Sequence, residues 1–424
     1  MAGPLPHWLL PDTAAVGDEG RLRIGGCDVL DVAAEHGTPL FVYDEAHLRA
    51  RCHEAMAAFG DGVAYAAKAF LCMAMARLAH EEGMHLDVAT GGELHVALAA
   101  GLPADRLVLH GNNKSLSELR EARVAGVGRI VVDSFDELDR LASLHAEDGL
   151  RPKVLVRVTP GVEAHTHDFI RTGQVDSKFG FGVAAGDAAR AVARANDSPA
   201  VELVGVHMHI GSQVFVADFF HEAVEVVAPW VREVGLPELS IGGGLGVAYI
   251  EGEDAPSITD WGSAIVSGCR DAGITARVTA EPGRSIVAQA AVTLYTVGTI
   301  KDVPGVRTYV SVDGGMSDNP RPVLYGSGYE AFLPRATDAA RPKRVTIVGK
   351  HCESGDVLVR DAQVPEDLAV GDILATPVTG AYGHSMGSNY NKVLRPAVVF
   401  VQEGRAREVV RRETYEDLLR HDLL

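Results

Sequence analysis

The chain has 424 residues, 47% of them hydrophobic and 23% charged, enough for a sizeable core and for more than one domain. A net charge of −18 repels nucleic-acid backbones and anionic membranes at long range, so neither is expected as a partner and a small metabolite is the expected ligand. Five scattered cysteines, Cys27, Cys52, Cys72, Cys269 and Cys352, form no CxxC pair, which argues against a zinc knot or disulfide framework and for a reducing, cytoplasmic setting.

The first stretch, MAGPLPHWLLPDTAAVG, has no basic n-region and is broken by prolines, so no signal peptide is expected. No apolar run reaches the ~18 residues that would span a membrane. RLRIGGCDVLDV then reads as a strand-like piece. Residues 1–37 are expected to form an N-terminal segment joining a later β domain.

From Pro39 the pattern alternates short β-rich runs with helical stretches such as EAHLRARCHEAMAAF and GGELHVALAAG. After the opening PLFVYD come VAYAAKA, HLDVAT, LVLHG, RIVVDS, VLVRVTP, LVGVHMHIGS, LSIGGGLG and RVTAEPGR. Eight such runs are what a closed (βα)8, TIM-like barrel requires, and it is expected over residues 38–284. A doubly wound open sheet is the competing architecture. Past Ser285 the runs QAAVTLYTVGTI, RTYVSVDGG, RVTIVGKH, GDVLVRDAQV, GDILATPVTG and RPAVVFVQEG alternate with turn signals, which predicts an antiparallel β domain over 285–424. The fold class is therefore α/β plus all-β.

Polar residues and glycines close the eight runs: Lys68, Asp87, His110, Asp133, Arg157, His209, Gly242 to Gly244, and Glu281. Barrel enzymes place their chemistry on that face. Lys68, ending an apolar run, either snorkels to solvent or is an amine held in a dry pocket to form a Schiff base with a carbonyl. In IGGGLG, successive glycines permit backbone amides to close around an anion, or simply make a tight turn. The Rossmann and Walker A patterns both fail there.

Glu281-Pro282-Gly283-Arg284 sets an acid and a base beside that loop, as a surface ion pair or as partners of a heterocyclic nitrogen and an anion. His207 and His209 fall on one strand face, suited to a metal or to stacking on an aromatic cofactor, and His165 and His167 share that spacing. No third ligand with zinc-like spacing lies near either pair. Cys352, followed by Glu353, is either an inert hydrophobe or a proton donor. SDNPRPVLY and GAYGHSMGSNY add an arginine, tyrosines and amides on loops.

YAAKA, HMHIGSQ, GGGLG, EPGR, HCESGD and GAYGHSMGSNYN, in this order, resemble the pyridoxal-phosphate decarboxylases of the alanine-racemase-like fold (group IV). The likeness runs from about Thr38 to Pro396, and THDFIRTGQVDSKFGFG (Thr166 to Gly182) looks like their diaminopimelate decarboxylase branch. The resemblance implies pyridoxal 5'-phosphate bound covalently by Lys68, with His209 stacked on the ring and Glu281 on its nitrogen. Ser212, Gly243, Gly244, Gly283 and Arg284 would surround the phosphate. Arg284, Arg321, Tyr325 and Glu353 would bind the substrate's distal carboxylate and ammonium, Tyr382 would touch cofactor and substrate, and Cys352 would protonate the carbanion. It also implies a homodimer with shared active sites, Cys352 and Glu353 coming from the partner subunit.

The implied reaction is decarboxylation of meso-2,6-diaminopimelate to L-lysine and carbon dioxide. The alternatives are a related decarboxylase of another amino acid, a racemase, which would need a second base where Cys352 stands, or a non-catalytic pyridoxal-phosphate carrier. No metal is expected.

Overall fold

A computed structural model describes residues 3–17, 19–161 and 177–424. His165, His167 and Thr166 to Asp176 of the diaminopimelate-like signature lie outside the described residues. The chain divides into two units: residues 51–247 with 255–285, and residues 1–50 with 248–254 and 286–424.

Strand β1 (Leu40–Asp44) is buried along its whole length. It belongs to the second of these units, where it pairs with β10 (Ala291–Val303). Eight strands form the barrel of the first unit: β2 (Ala64–Ala66), β3 (His85–Val88), β4 (Leu107–Leu109), β5 (Arg129–Val132), β6 (Lys153–Thr159), β7 (Glu202–Met208), β8 (Glu238–Ser240) and β9 (Arg277–Thr279), with the short strand Phe181–Gly182 paired beside β6. They pair in parallel in chain order. Backbone bonds from Ala64 N–H to Ala280 O (2.9 Å) and from Ala66 N–H to Pro282 O (3.0 Å) join the last strand to the first, so the sheet closes into a barrel. The open-sheet alternative is thereby excluded.

Side chains alternate along each strand, and Ala64, Val108, Val131, Leu155 and Val204 cluster in the interior. Two residues further along several of these strands, the inward positions turn polar: His110, Asp133 and Arg157, all buried. The helices between strands begin where the sequence supplies caps: Thr90, Ser115, Ser134 and Ser257 each accept a backbone N–H of the first turn. A buried ion pair that the sequence did not reveal fixes the ends of β4 and β5. Lys114 Nζ donates to Glu137 Oε1 (2.8 Å), Gly111 O (2.7 Å) and Val131 O (2.6 Å), with both side chains 2% exposed. Three charge-assisted bonds offset part of the burial, which still lowers the Lys114 pKa and raises that of Glu137.

The second unit is built on β10, which pairs with β1, with β11 (Arg307–Val312) and with β14 (Ile373–Pro377). Strands β12 (Lys343–Val348), β13 (Val357–Val364), β15 (Ala397–Gln402) and β16 (Arg405–Val410) complete a sheet ordered β13-β12-β11-β10-β1-β15-β16, with β14 beside β10. Most pairs are antiparallel as expected, but β11–β12 and β1–β15 are parallel.

Two boundaries differ from the sequence expectation. PLFVYD, read as the start of the barrel domain, contributes β1 to this second sheet, because Leu40 to Tyr43 bond to β10 and β15. RLRIGGCDVLDV is only partly strand: Leu22–Ile24 and Cys27–Asp28 join Ala15–Val16 in a small sheet, and Val29–His36 is a helix. Asp28 caps that helix by accepting from Leu30 N–H and Asp31 N–H, a side chain-to-backbone signal that an alternating reading overlooks.

Candidate active site

Glu281 follows β9 and is 8% exposed. Its Oε1 accepts from Ser240 Oγ (2.9 Å) and lies 3.3 Å from His110 Nε2, while His207 Nε2 donates to Oε2 (2.9 Å). Burial alone would push this carboxyl up, but His110 and His207 outweigh it and hold the group well below the usual carboxylate range. It is an ionised acid on a buried floor. Burial drives His207 down to about 4, so it donates as a neutral ring. Burial also opposes a charge on His110, yet Asp87, 3.6 Å away, and Glu281 together raise its pKa.

The sequence spacing offered no third metal ligand beside His207; the fold supplies two. Ligand atoms of His110, His207 and Glu281 lie within 4.8 Å of one another. Their arrangement is that of imidazoles facing one carboxylate, which serves Glu281's charge directly.

His209, two residues on, is half-buried. Its Nδ1 accepts from Gly243 N–H (3.2 Å), which places the ring proton on Nε2. Burial first, then the charges of Lys68 and Arg157, keep the imidazole well below its ordinary pKa and therefore neutral. Of the two glycines expected at an anion, Gly243 thus commits its N–H to His209. A Cβ there would meet Glu281 O at 2.4 Å, and at Gly244 (φ +121°) it would meet Gly211 O at 2.6 Å, so the loop packs too closely for any side chain. Arg284, buried, donates from Nη2 to Ser212 Oγ (3.2 Å), and Gly283 packs on Ala66.

Lys68 lies in a 3-10 turn, Ala67–Ala69, that begins as β2 ends. The side chain is exposed while Ala67 and Ala69 are buried. Of the two sequence readings of this lysine, its exposure agrees with the one that reaches solvent, while its charge acts on Asp87, Glu93 and His209 at the barrel end.

The remaining candidates lie in the second unit. Arg321 is 5% exposed, donates from Nη1 to Tyr329 Oη (2.6 Å) and sits 4.1 Å above the Tyr249 ring. No carboxylate among the described residues pairs with it. Tyr325 ends the same short helix, Arg321–Tyr325, and Tyr382 is held at φ +60°. Cys352 and Glu353 are exposed on the β12–β13 loop, and the Glu353 carboxylate accepts from Tyr390 Oη. Sequence reasoning missed His110, Ser240 and Tyr390 as partners of the acids they hold. His110, standing at a strand's carboxyl end, and Tyr390, in the loop GAYGHSMGSNY, carried a signal; Ser240 carried none.

Residues 45–288 match the family model described as pyridoxal-dependent decarboxylase, pyridoxal binding domain. The diaminopimelate decarboxylase of Mycobacterium tuberculosis is 49% identical over 421 residues, covering 94% of each chain. That of Bacillus subtilis is 47% identical over 430 residues, covering 98% of each. Among solved structures, diaminopimelate decarboxylase from M. jannaschii in co-complex with L-lysine matches with a TM-score of 0.90 at 34% identity, covering 97% of this chain and 98% of that one. The chain therefore belongs to the pyridoxal-dependent decarboxylases, and within that class to the diaminopimelate decarboxylase family. It is a carboxy-lyase whose cofactor is pyridoxal 5'-phosphate.

The residues of the barrel unit fit that group. A primary amine suits its aldehyde, an ionised buried carboxylate suits a protonated ring nitrogen, a neutral imidazole suits an aromatic face, and a hydroxyl beside a guanidinium suits a phosphate.

Proposed function

We propose that the protein removes one carboxylate of meso-2,6-diaminopimelate as carbon dioxide and releases L-lysine, the last step of lysine biosynthesis. The observation that carries this reading is the buried carboxylate of Glu281, held ionised by two histidines at the barrel end that also bears Lys68. Full-length likeness to diaminopimelate decarboxylases supports the choice of substrate.

When bound, pyridoxal phosphate supplies an electron-withdrawing ring that takes up the electron pair of the breaking carbon–carboxylate bond. Lys68 would hold the cofactor through its aldehyde, its primary amine supplying the matching nucleophile. Glu281 keeps a proton on the ring nitrogen. His209, its Nδ1 tied to Gly243, would offer a neutral imidazole to the cofactor's aromatic ring. Ser212, Gly244 and Arg284 would hold the phosphate, and the bare backbone of Gly243 and Gly283 permits the close approach of Glu281 O and Ala66.

The substrate has a second amino-acid head, which a monoamino acid lacks. Arg284, Arg321 and Tyr325 receive its carboxylate, Glu353 its ammonium, and Tyr382 contacts cofactor and substrate. The thiol of Cys352 protonates the carbon that lost its carboxylate. We assign Cys352 and Glu353 to the partner subunit's site in a homodimer, for which their exposure in this chain is the support. A cytoplasmic setting agrees with five free cysteines.

Replacing Lys68 by alanine tests the assignment. The expected outcome is loss of both turnover and the visible absorbance band of the purified protein, with an unchanged melting temperature of the cofactor-free form. A surviving band would place the covalent link elsewhere.

A further inference from the structure

The loop of Glu353 has a buried base. Asp356, 2% exposed, accepts from His351 N–H (2.9 Å), which closes the turn between β12 and β13 on itself, and from Met316 N–H (2.7 Å), which ties that turn to the segment after β11. The His351 ring, also buried, lies 2.9 Å from Ser317 Oγ through Nε2 and 3.1 Å from Asn391 Oδ1 through Nδ1. With both nitrogens engaged, the ring has one orientation. Tyr390 stacks on it, centroids 5.4 Å apart and planes at 29°, and its hydroxyl donates to Glu353 Oε1.

We propose that Tyr390, braced by His351, is the positioning residue for Glu353: it fixes the rotamer in which the carboxylate receives the distal ammonium of the substrate. This rests on the reading that Glu353 meets that ammonium. A phenol suits the task because it is a neutral donor. An arginine or lysine in its place would cancel the carboxylate charge that attracts the ligand, whereas Tyr390 occupies Oε1 and leaves Oε2 and the full charge available. The carboxylate in turn holds the phenol above its ordinary pKa, so it remains a donor at neutral pH. Glu353 is exposed and would otherwise sample several rotamers.

The test is a double-mutant cycle on the complete, cofactor-loaded enzyme with meso-diaminopimelate, using Tyr390→Phe, Glu353→Gln and the pair. Tyr390→Phe keeps the ring and its stack on His351 and removes only the donor. The expected result is a KM raised about tenfold with kcat within about twofold of wild type, as for lost uniform binding. The pair should then be no worse than Glu353→Gln alone, and melting temperature and cofactor absorbance should be unchanged. If Glu353→Gln raises KM while Tyr390→Phe is silent, or if the two effects add, the positioning role falls and the substrate contact stands. If Glu353→Gln leaves KM unchanged, the substrate contact fails and the positioning role with it.

Discussion

Glu281 shows how one residue's state is made by others distant in sequence. Ser240, His207 and His110 come from three different strands or strand ends, and together they hold as an anion a carboxyl that burial alone would neutralise. The acid was legible as a candidate because it stands at a strand end before a Pro-Gly turn. Its partners were not, since nothing in linear spacing places His110 beside Glu281. Lys68 was legible by position, and its exposure agrees with one of the two readings open to a lysine that ends an apolar run.

His384 adds to the acid sensitivity that the neutral rings of His207 and His209 also confer. Burial and then Arg395 lower His384 from 6.5 to about 4. As pH falls through 6.5 the unfolded chain takes up a proton here and the folded chain does not, so stability present at neutral pH is lost toward pH 4. His384→Gln should lose less melting temperature than wild type between pH 7 and pH 5. Equal slopes in a thermal melt series would contradict the assignment.

Among the elements, all eight barrel strands and the six later strands were legible, because β-branched runs bounded by turn residues are strong local signals. Strand β16 was missed: RAREVV carries three charges in six residues and reads as a loop. It forms because Glu403 (φ +52°) and Gly404 (φ +74°) make a two-residue hairpin turn that folds it back on β15. The helix Val29–His36 was hidden for the opposite reason, its apolar residues continuing an apparent strand.

The glycine loop after β8 depends on bare backbone, and this has a direct consequence. Gly243→Ala would set a Cβ 2.4 Å from Glu281 O, displacing both His209 and the floor acid. The expected loss is about 1–3 kcal/mol of stability together with weaker cofactor binding. Gly298→Ala in β10, where the nearest atom is 3.9 Å away, is the control and should change neither. Comparable melts and comparable cofactor titrations for the two variants would show that the loop is not crowded.

For the molecule as a whole, charge and composition set the class of ligand before any motif did. No helix among the described residues is long and apolar enough to cross a membrane. The parallel pairings β11–β12 and β1–β15 knit the N-terminal and C-terminal parts of the chain into one sheet, which a reading confined to local turns predicts as separate pieces. Substrate choice lies beyond any single element, since the proposed contacts to the distal head are drawn from widely separated loops.

The most direct measurement is therefore release of carbon dioxide from meso-diaminopimelate by the purified enzyme, with ornithine, lysine and arginine alongside and the product resolved by chiral amino-acid analysis. The account predicts L-lysine from diaminopimelate and no carbon dioxide from the other three. Decarboxylation of any of those three with diaminopimelate untouched would contradict it, and would remove Arg321 and Glu353 from the substrate site.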